Sequence, residues 1–241
     1  STNIMPGGEI ASNQLQICDD RYIDGLKTLA TAIASKNAIA LIQINHGGAK
    51  AFPLTAGQSF LSASDVPISH GQIPRSMSVD EIGAIVAGFA AAAERAIRAG
   101  FDGVEVHAAN GYLPHQFLAS NVNRRTDAYG GSLMGRCRFL FEVMDAVLGV
   151  VPRGRVGVRL APLFTGNDIA DADPVETQGQ VAAHLAKLGI GYVHLADTGR
   201  RFPGSGTYPL PRLFSILKDI GYAGMASVEC SWWRGWRSRS L

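Results

Sequence analysis

Gly103-Val-Glu-Val-His-Ala-Ala-Asn-Gly-Tyr112 is the stretch on which the reading of this chain turns. Gly103 to His107 reads as a short buried strand, bounded by Asp102-Gly103 in front and Asn110-Gly111 behind. Strand residues two apart share a face, so Glu105 and His107 point the same way. The chain turns immediately afterwards, which clusters His107, Asn110 and Tyr112 at the strand's C-terminal end. An imidazole, an amide and a phenol together are suited to binding a carbonyl oxygen and delivering a proton. In a parallel β/α barrel that end of the strand is the catalytic face. Taken singly, a strand-end histidine is more often a hydrogen-bonded structural residue, and Asn-Gly is only a turn signal.

On either side of this stretch, strand and helix signals alternate. Upstream, Asp19 or Asp20 caps a helix running to about Ser35, with Tyr22, Leu26, Leu29 and Ile33 on one face. Ala38 to Ile44 is apolar apart from Gln43, the pattern of a strand buried on both faces. A Pro-, Ser- and Gly-rich loop spans Ala49 to Met77. Ser78-Val-Asp-Glu81 is a capping box for a helix to about Arg98, and Gly100 stops it. Downstream, a helix is expected over Leu133 to Leu148 and a strand over Arg155 to Leu160. Asp173-Pro-Val-Glu176 opens a helix that Gly189 ends. Tyr192 to Leu195, Pro211 to Ile220 and Met225 to Glu229 read as strand, helix and strand. Repeated strand–helix alternation specifies a parallel sheet with helical crossovers, which curls into a TIM-type α/β barrel. Five clear strands are legible rather than eight, so further strands are hidden in the opening and the loops, or the barrel is incomplete.

Composition narrows the classes. With 241 residues, 46% hydrophobic and 17% charged, the chain is long enough and apolar enough for one globular domain over residues 1–241. A formal charge of +2 gives no reason to expect a nucleic-acid partner. The most apolar window, Ile82 to Ile97, carries Glu94 and Arg95 and is too short to span a membrane. Cys18, Cys137 and Cys230 lack metal-ligand or redox spacing, which fits reduced thiols in a cytoplasmic setting. The opening Ser1-Thr-Asn-Ile-Met does not have the form of a signal peptide.

The residues around the first stretch carry a more specific signal. His107-Ala-Ala-Asn110-Gly-Tyr112 is followed by Asn123-Arg-Arg-Thr-Asp-Ala-Tyr-Gly-Gly-Ser132 and Arg136-Cys-Arg138-Phe139. Together they resemble the Old Yellow Enzyme (NADH:flavin oxidoreductase) family, which carries His-x-x-Asn-Gly-Tyr, Asn-x-Arg-Thr-Asp-x-Tyr-Gly-Gly-Ser and Arg-x-Arg-Phe in this order. Met134-Gly135 departs from the family's usual Glu-Asn. Gln43-Ile-Asn-His46-Gly-Gly-Ala-Lys50 is similar to the family's Gln-x-x-His-x-Gly-Arg-Lys, with Ala49 where Arg is commoner. The resemblance implies a β/α barrel that binds FMN, with Gln43 at the pyrimidine edge and Arg159 at the N1/O2 region. Read from the residues alone, Gln43 bonds a neighbouring strand's loop, and Arg159 pairs with an inward acid such as Glu105. The resemblance further implies hydride transfer from NAD(P)H through flavin to an enone. In it His107 and Asn110 hold the substrate oxygen, and Tyr112 supplies the proton. The match begins partway into the family fold and leaves out its first strands and late phosphate loops, so weakened cofactor binding is expected.

Residues 1–195 carry this resemblance. From His194 the chain is similar instead to the end of the sugar isomerase/epimerase family, over residues 196–231. His194 and Glu229 occupy that family's metal-ligand positions, and Arg200 its sugar-contacting position. Two ligands are too few for a metal site to be assigned. Residues 232–241 fit neither family. The fold expectation is thus an incomplete or chimeric TIM-type barrel. A metal-dependent isomerase and a non-catalytic barrel fragment that self-associates are the alternatives to the flavin enzyme.

Overall fold

Alternation of side chains along the central strands explains both the core and the site. The structure is a computed structural model and describes residues 1–52, 59–68, 73–161, 166, 168–190, 192–196, 210–219, 221 and 225–229. Its main sheet contains β1 (Thr2–Asn3), β2 (Leu15–Gln16), β3 (Leu41–Asn45), β6 (Gly103–Ala108), β7 (Val156–Leu160), β8 (Tyr192–Ala196) and β9 (Met225–Glu229). Every pairing in it is parallel, in the order β2-β1-β3-β6-β7-β8-β9. The two strands beyond the five legible ones lie in the opening segment. Each is only two residues long, too short to show a periodicity.

The crossovers are α1 (Ile23–Ala34), α2 (Val79–Arg98), α4 (Leu133–Leu148), α5 (Pro174–Lys187) and α6 (Leu210–Asp219). The helix start signals operate as their chemistry requires. Asp19 accepts from Arg21 N, and Ser78 and Glu81 form the reciprocal capping box. Ser132 Oγ accepts from Gly135 N, and Asp173 from Glu176 N. Gly100 and Gly189 take positive φ after the helices they end.

On one face of the sheet, Ile42 and Ile44 of β3, Val104 and Val106 of β6, and Val156 and Val158 of β7 are buried. They join one core with Ile82, Ile85 and Phe89 of α2 and Phe139, Leu140 and Val143 of α4. Each such side chain contributes roughly 1.5–3 kcal/mol by leaving water. The opposite face carries Gln43, Glu105, His107 and Arg159, and it is the face that matters for function.

Two expectations are corrected. The strand expected over Ala38 to Ile44 begins at Leu41 and includes Asn45, and on its Gln43 face only the Asn45 end is fully buried. Ile39 is 76% and Leu41 49% exposed. An apolar run reports hydrophobicity but not which of two strand faces is covered. The Ala49–Met77 loop also holds a small parallel pair, β4 (Leu61–Ser62) with β5 (Arg75–Ser76). A short helix, α3 (Leu113–Leu118), fills part of the loop after β6.

Candidate active site

Strand register gathers the inward polar groups. Gln43 of β3 lies beside Glu105 of β6, and His107 of β6 beside Arg159 of β7. The Gln43 amide Nε2 donates to Glu105 Oε1 at 2.6 Å, so Gln43 bonds the neighbouring strand itself and not its loop. Glu105, His107 and Arg159 are all buried. Asn45, two residues beyond Gln43 on the same strand face, is fully buried, and neither amide atom has a hydrogen-bond partner among the described residues.

His107 sits near the end of β6, and its tautomer follows from one contact. The backbone N–H of Ala109 donates to Nδ1 at 3.2 Å, so Nδ1 is the acceptor and the neutral ring carries its proton on Nε2. The Tyr112 ring meets the imidazole edge to face, with centroids 4.8 Å apart. Between them Asn110 holds a left-handed backbone, φ 58°, followed by Gly111 at φ 79°. These two residues reverse the chain within the space between strand and helix. His107, Asn110 and Tyr112 therefore stand together at the C-terminal end of β6, with Gln43 and Arg159 on the same sheet face.

Sequence reasoning missed the residue that holds this rim together. Gln116 of α3 is fully buried and uses both ends of its amide. Nε2 donates to Gly47 O at 3.0 Å and Gly111 O at 2.7 Å. Oε1 accepts from Ala49 N at 3.1 Å and Ser62 Oγ at 3.0 Å. It thereby ties the turn after β3 to the turn after β6. Gly48 takes φ 64° beneath it, where a Cβ would overlap the Gln116 side chain. The only available signal was a lone amide between Pro114 and Phe117, which has no sequence signature. The 3-10 turn Gly48–Lys50 held in this way carries the Lys50 ammonium over the Tyr112 ring, 5.3 Å from its centroid.

The second motif, Asn123 to Ser132, is tied into the surrounding loops. Asn123 Nδ2 donates to Phe117 O and Tyr129 O. Arg125 pairs with Asp127 at 2.6 Å and donates to Ala63 O, Ser76 Oγ and Met77 O. Gly135, the departure noted above, lets α4 approach so closely that a Cβ there would overlap Gly130 O. Cys137 is buried, and burial pushes its thiol up to about 11, the behaviour of a packing residue.

Among the described residues, no group of three or more His, Cys, Asp or Glu could hold a metal ion. The proposed ligands His194 and Glu229 fall on the paired strands β8 and β9, whose side chains lie outside the description, as does the whole of Arg200 and the tail from residue 230. No helix among the described residues is long and apolar enough to cross a membrane.

Fold and site together define a parallel β/α protein of the TIM-barrel type with a polar rim at the C-terminal end of a strand. The match to the NADH:flavin oxidoreductase / NADH oxidase family spans residues 1–205, some ten residues past the boundary expected near 195. The chain belongs to that family. It is 41% identical over 202 residues to a probable flavin mononucleotide-dependent alkene reductase of Leishmania infantum, covering 77% of this chain and 55% of that protein. It is 37% identical over 230 residues to 12-oxophytodienoate reductase 1 of Oryza sativa subsp. japonica, covering 89% and 60%. Morphinone reductase superposes with a TM-score of 0.86 at 33% identity, covering 95% of this chain and 65% of that one. The chain thus spans a little over half the length of these curated relatives.

Proposed function

We propose that this chain carries the catalytic face of an FMN-dependent ene-reductase, reducing the C=C bond of an α,β-unsaturated carbonyl compound with NAD(P)H as the electron source. The observation that carries this reading is the arrangement of five side chains. Gln43, His107 and Arg159 share one face of three adjacent strands, and Asn110 and Tyr112 follow at their rim.

The residues fit a flavin. Gln43 spends one end of its amide on Glu105, and its Oε1 has no donor among the described residues. That leaves an acceptor for a ring N–H. The buried Asn45 amide nearby has a desolvation penalty on the order of 1–3 kcal/mol that a polar guest would offset. Arg159 cannot shed its charge, so it suits a group whose reduced form is anionic. The chemistry such a cofactor supplies is two-electron storage, taking hydride from NAD(P)H and releasing it to the β-carbon of an enone.

The chain's own residues do the rest. His107, with Nδ1 engaged by Ala109, offers Nε2–H to the enone oxygen, and the Asn110 amide offers a second donor. Two such donors stabilise enolate charge as it forms, and each is worth on the order of 3 kcal/mol of barrier. Tyr112, held against the imidazole, supplies the proton to the α-carbon.

Purified protein given FMN should show oxidised-flavin absorbance that NAD(P)H bleaches and an enone restores. His107→Ala is expected to weaken binding of phenols and enones while flavin stays bound. Release of flavin by this variant would mean that the imidazole holds the cofactor and not the substrate. Under this reading the setting is cytoplasmic, neither nucleic acid nor a membrane is a partner, and self-association is open to measurement by sedimentation. The isomerase-like reading of residues 196–231 rests on the sequence resemblance alone. Stoichiometric divalent-metal uptake with ketose–aldose interconversion would support it.

A further inference from the structure

Lys50 is the last residue of the 3-10 turn that follows β3, and the Gln116 clamp sets its position at the rim. Its ammonium rests over the face of Tyr112, and Tyr112 rests against His107, so a positive charge stands two ring contacts from the imidazole. Among the described residues no acid comes within ion-pairing distance of this ammonium. The side chain is partly buried, and burial lowers its pKa with no neighbouring carboxylate to raise it again. A ring face attracts a cation, at about 0.5–2 kcal/mol, but satisfies none of its three N–H donors in the way an oxygen does. The other cations of this region are used differently. Arg125 is spent on Asp127 and three loop oxygens, and Arg136 on Leu118 O and Asp171.

We propose that Lys50 is a specificity-determining residue that binds a carboxylate carried by the substrate whose carbonyl oxygen meets His107. This rests on the ene-reductase reading, in which His107 marks the position of that oxygen. The preferred substrate is then an enone with an anionic tail rather than a neutral one. A phosphate of the nicotinamide reductant has the same chemistry, and the test separates the two sources.

The protein, supplied with FMN and NAD(P)H, is assayed on an enone carboxylic acid and on its methyl ester. The acid should be preferred by roughly tenfold in kcat/KM, about the value of one added ionic contact. Lys50→Met should bring the acid-to-ester ratio to about one through the KM of the acid, whereas Lys50→Arg should keep most of the preference. Added salt should erode the ratio in the parent protein and not in Lys50→Met. An unchanged ratio in Lys50→Met overturns the proposal, as does a change confined to the KM of the nicotinamide donor. If neither enone is turned over, the ene-reductase reading fails on its own account. Calorimetric titration with 4-hydroxybenzoate and its methyl ester then decides the role of Lys50. Preference for the anion that Lys50→Met abolishes sustains it, and equal affinities reject it.

Discussion

Asn110 combines a strained backbone with a side chain that the proposed function assigns to the substrate oxygen. Its φ of 58° lies in the left-handed region, which costs an ordinary L-residue roughly 1–2 kcal/mol and which asparagine tolerates better than most. Glycine there keeps the turn and removes the amide, while alanine removes the amide and adds strain. Asn110→Gly should therefore retain urea stability, and Asn110→Ala should lose about 1 kcal/mol. Both should lower kcat/KM for an enone by roughly 100-fold, the usual consequence of deleting one oxyanion donor. Wild-type turnover in Asn110→Gly would remove the amide from the mechanism. His107 teaches the same lesson in a different way. Its identity was readable, but its tautomer was decided by the Ala109 N–H, a contact that no residue pattern announces.

At the scale of elements, the rim depends on α3, a helix that carries no clear signature in the sequence. Proline at its second position and only six residues give it almost no periodic signal. Yet Gln116 on that helix satisfies two carbonyls, one N–H and one hydroxyl across three segments. Gln116→Met keeps the volume and strands those four groups in a buried place. A loss of about 3 kcal/mol or more in urea unfolding is expected, since each orphaned group costs about 1–3 kcal/mol. The acid preference assigned to Lys50 should weaken at the same time. A loss below 1 kcal/mol would show that the turns after β3 and β6 hold themselves. The helices with strong caps behaved as their sequences required, because Ser78-Val-Asp-Glu81 and Asp173-Pro satisfy backbone groups locally.

For the molecule as a whole, two buried histidines couple stability to pH. Burial depresses both His46 and His115 to about 4, with Asp171 partly opposing the shift at His115. The unfolded chain takes up these protons near pH 6.5, while the folded chain resists them until about pH 4. Stability from these groups is therefore complete above pH 6.5 and is lost as pH falls towards 4. Where both titrate, the slope should reach roughly 3 kcal/mol per pH unit. Urea midpoints measured from pH 7 to 4.5 should fall steeply, and His46→Gln should about halve the fall. Midpoints that stay level across this window would mean that the imidazoles are hydrated in solution.

Local chemistry in the sequence was enough to determine the alternation of helices and strands, and with it a parallel β/α architecture. Caps, glycine stops and apolar runs act within a few residues and need no distant partner. The motif around His107 likewise identified the family. What only the tertiary structure decided depends on neighbours far apart in the chain. The two-residue strand β1 exists because β3 offers it a partner, and β2 because β1 does, not because of their own residues. Gln43 meets Glu105 across 62 positions, and Ala49 meets Gln116 across 67. The placement of Lys50 on Tyr112 follows from that last contact. A sequence lists the polar groups that must find partners, and only the packed sheet determines which of them meet.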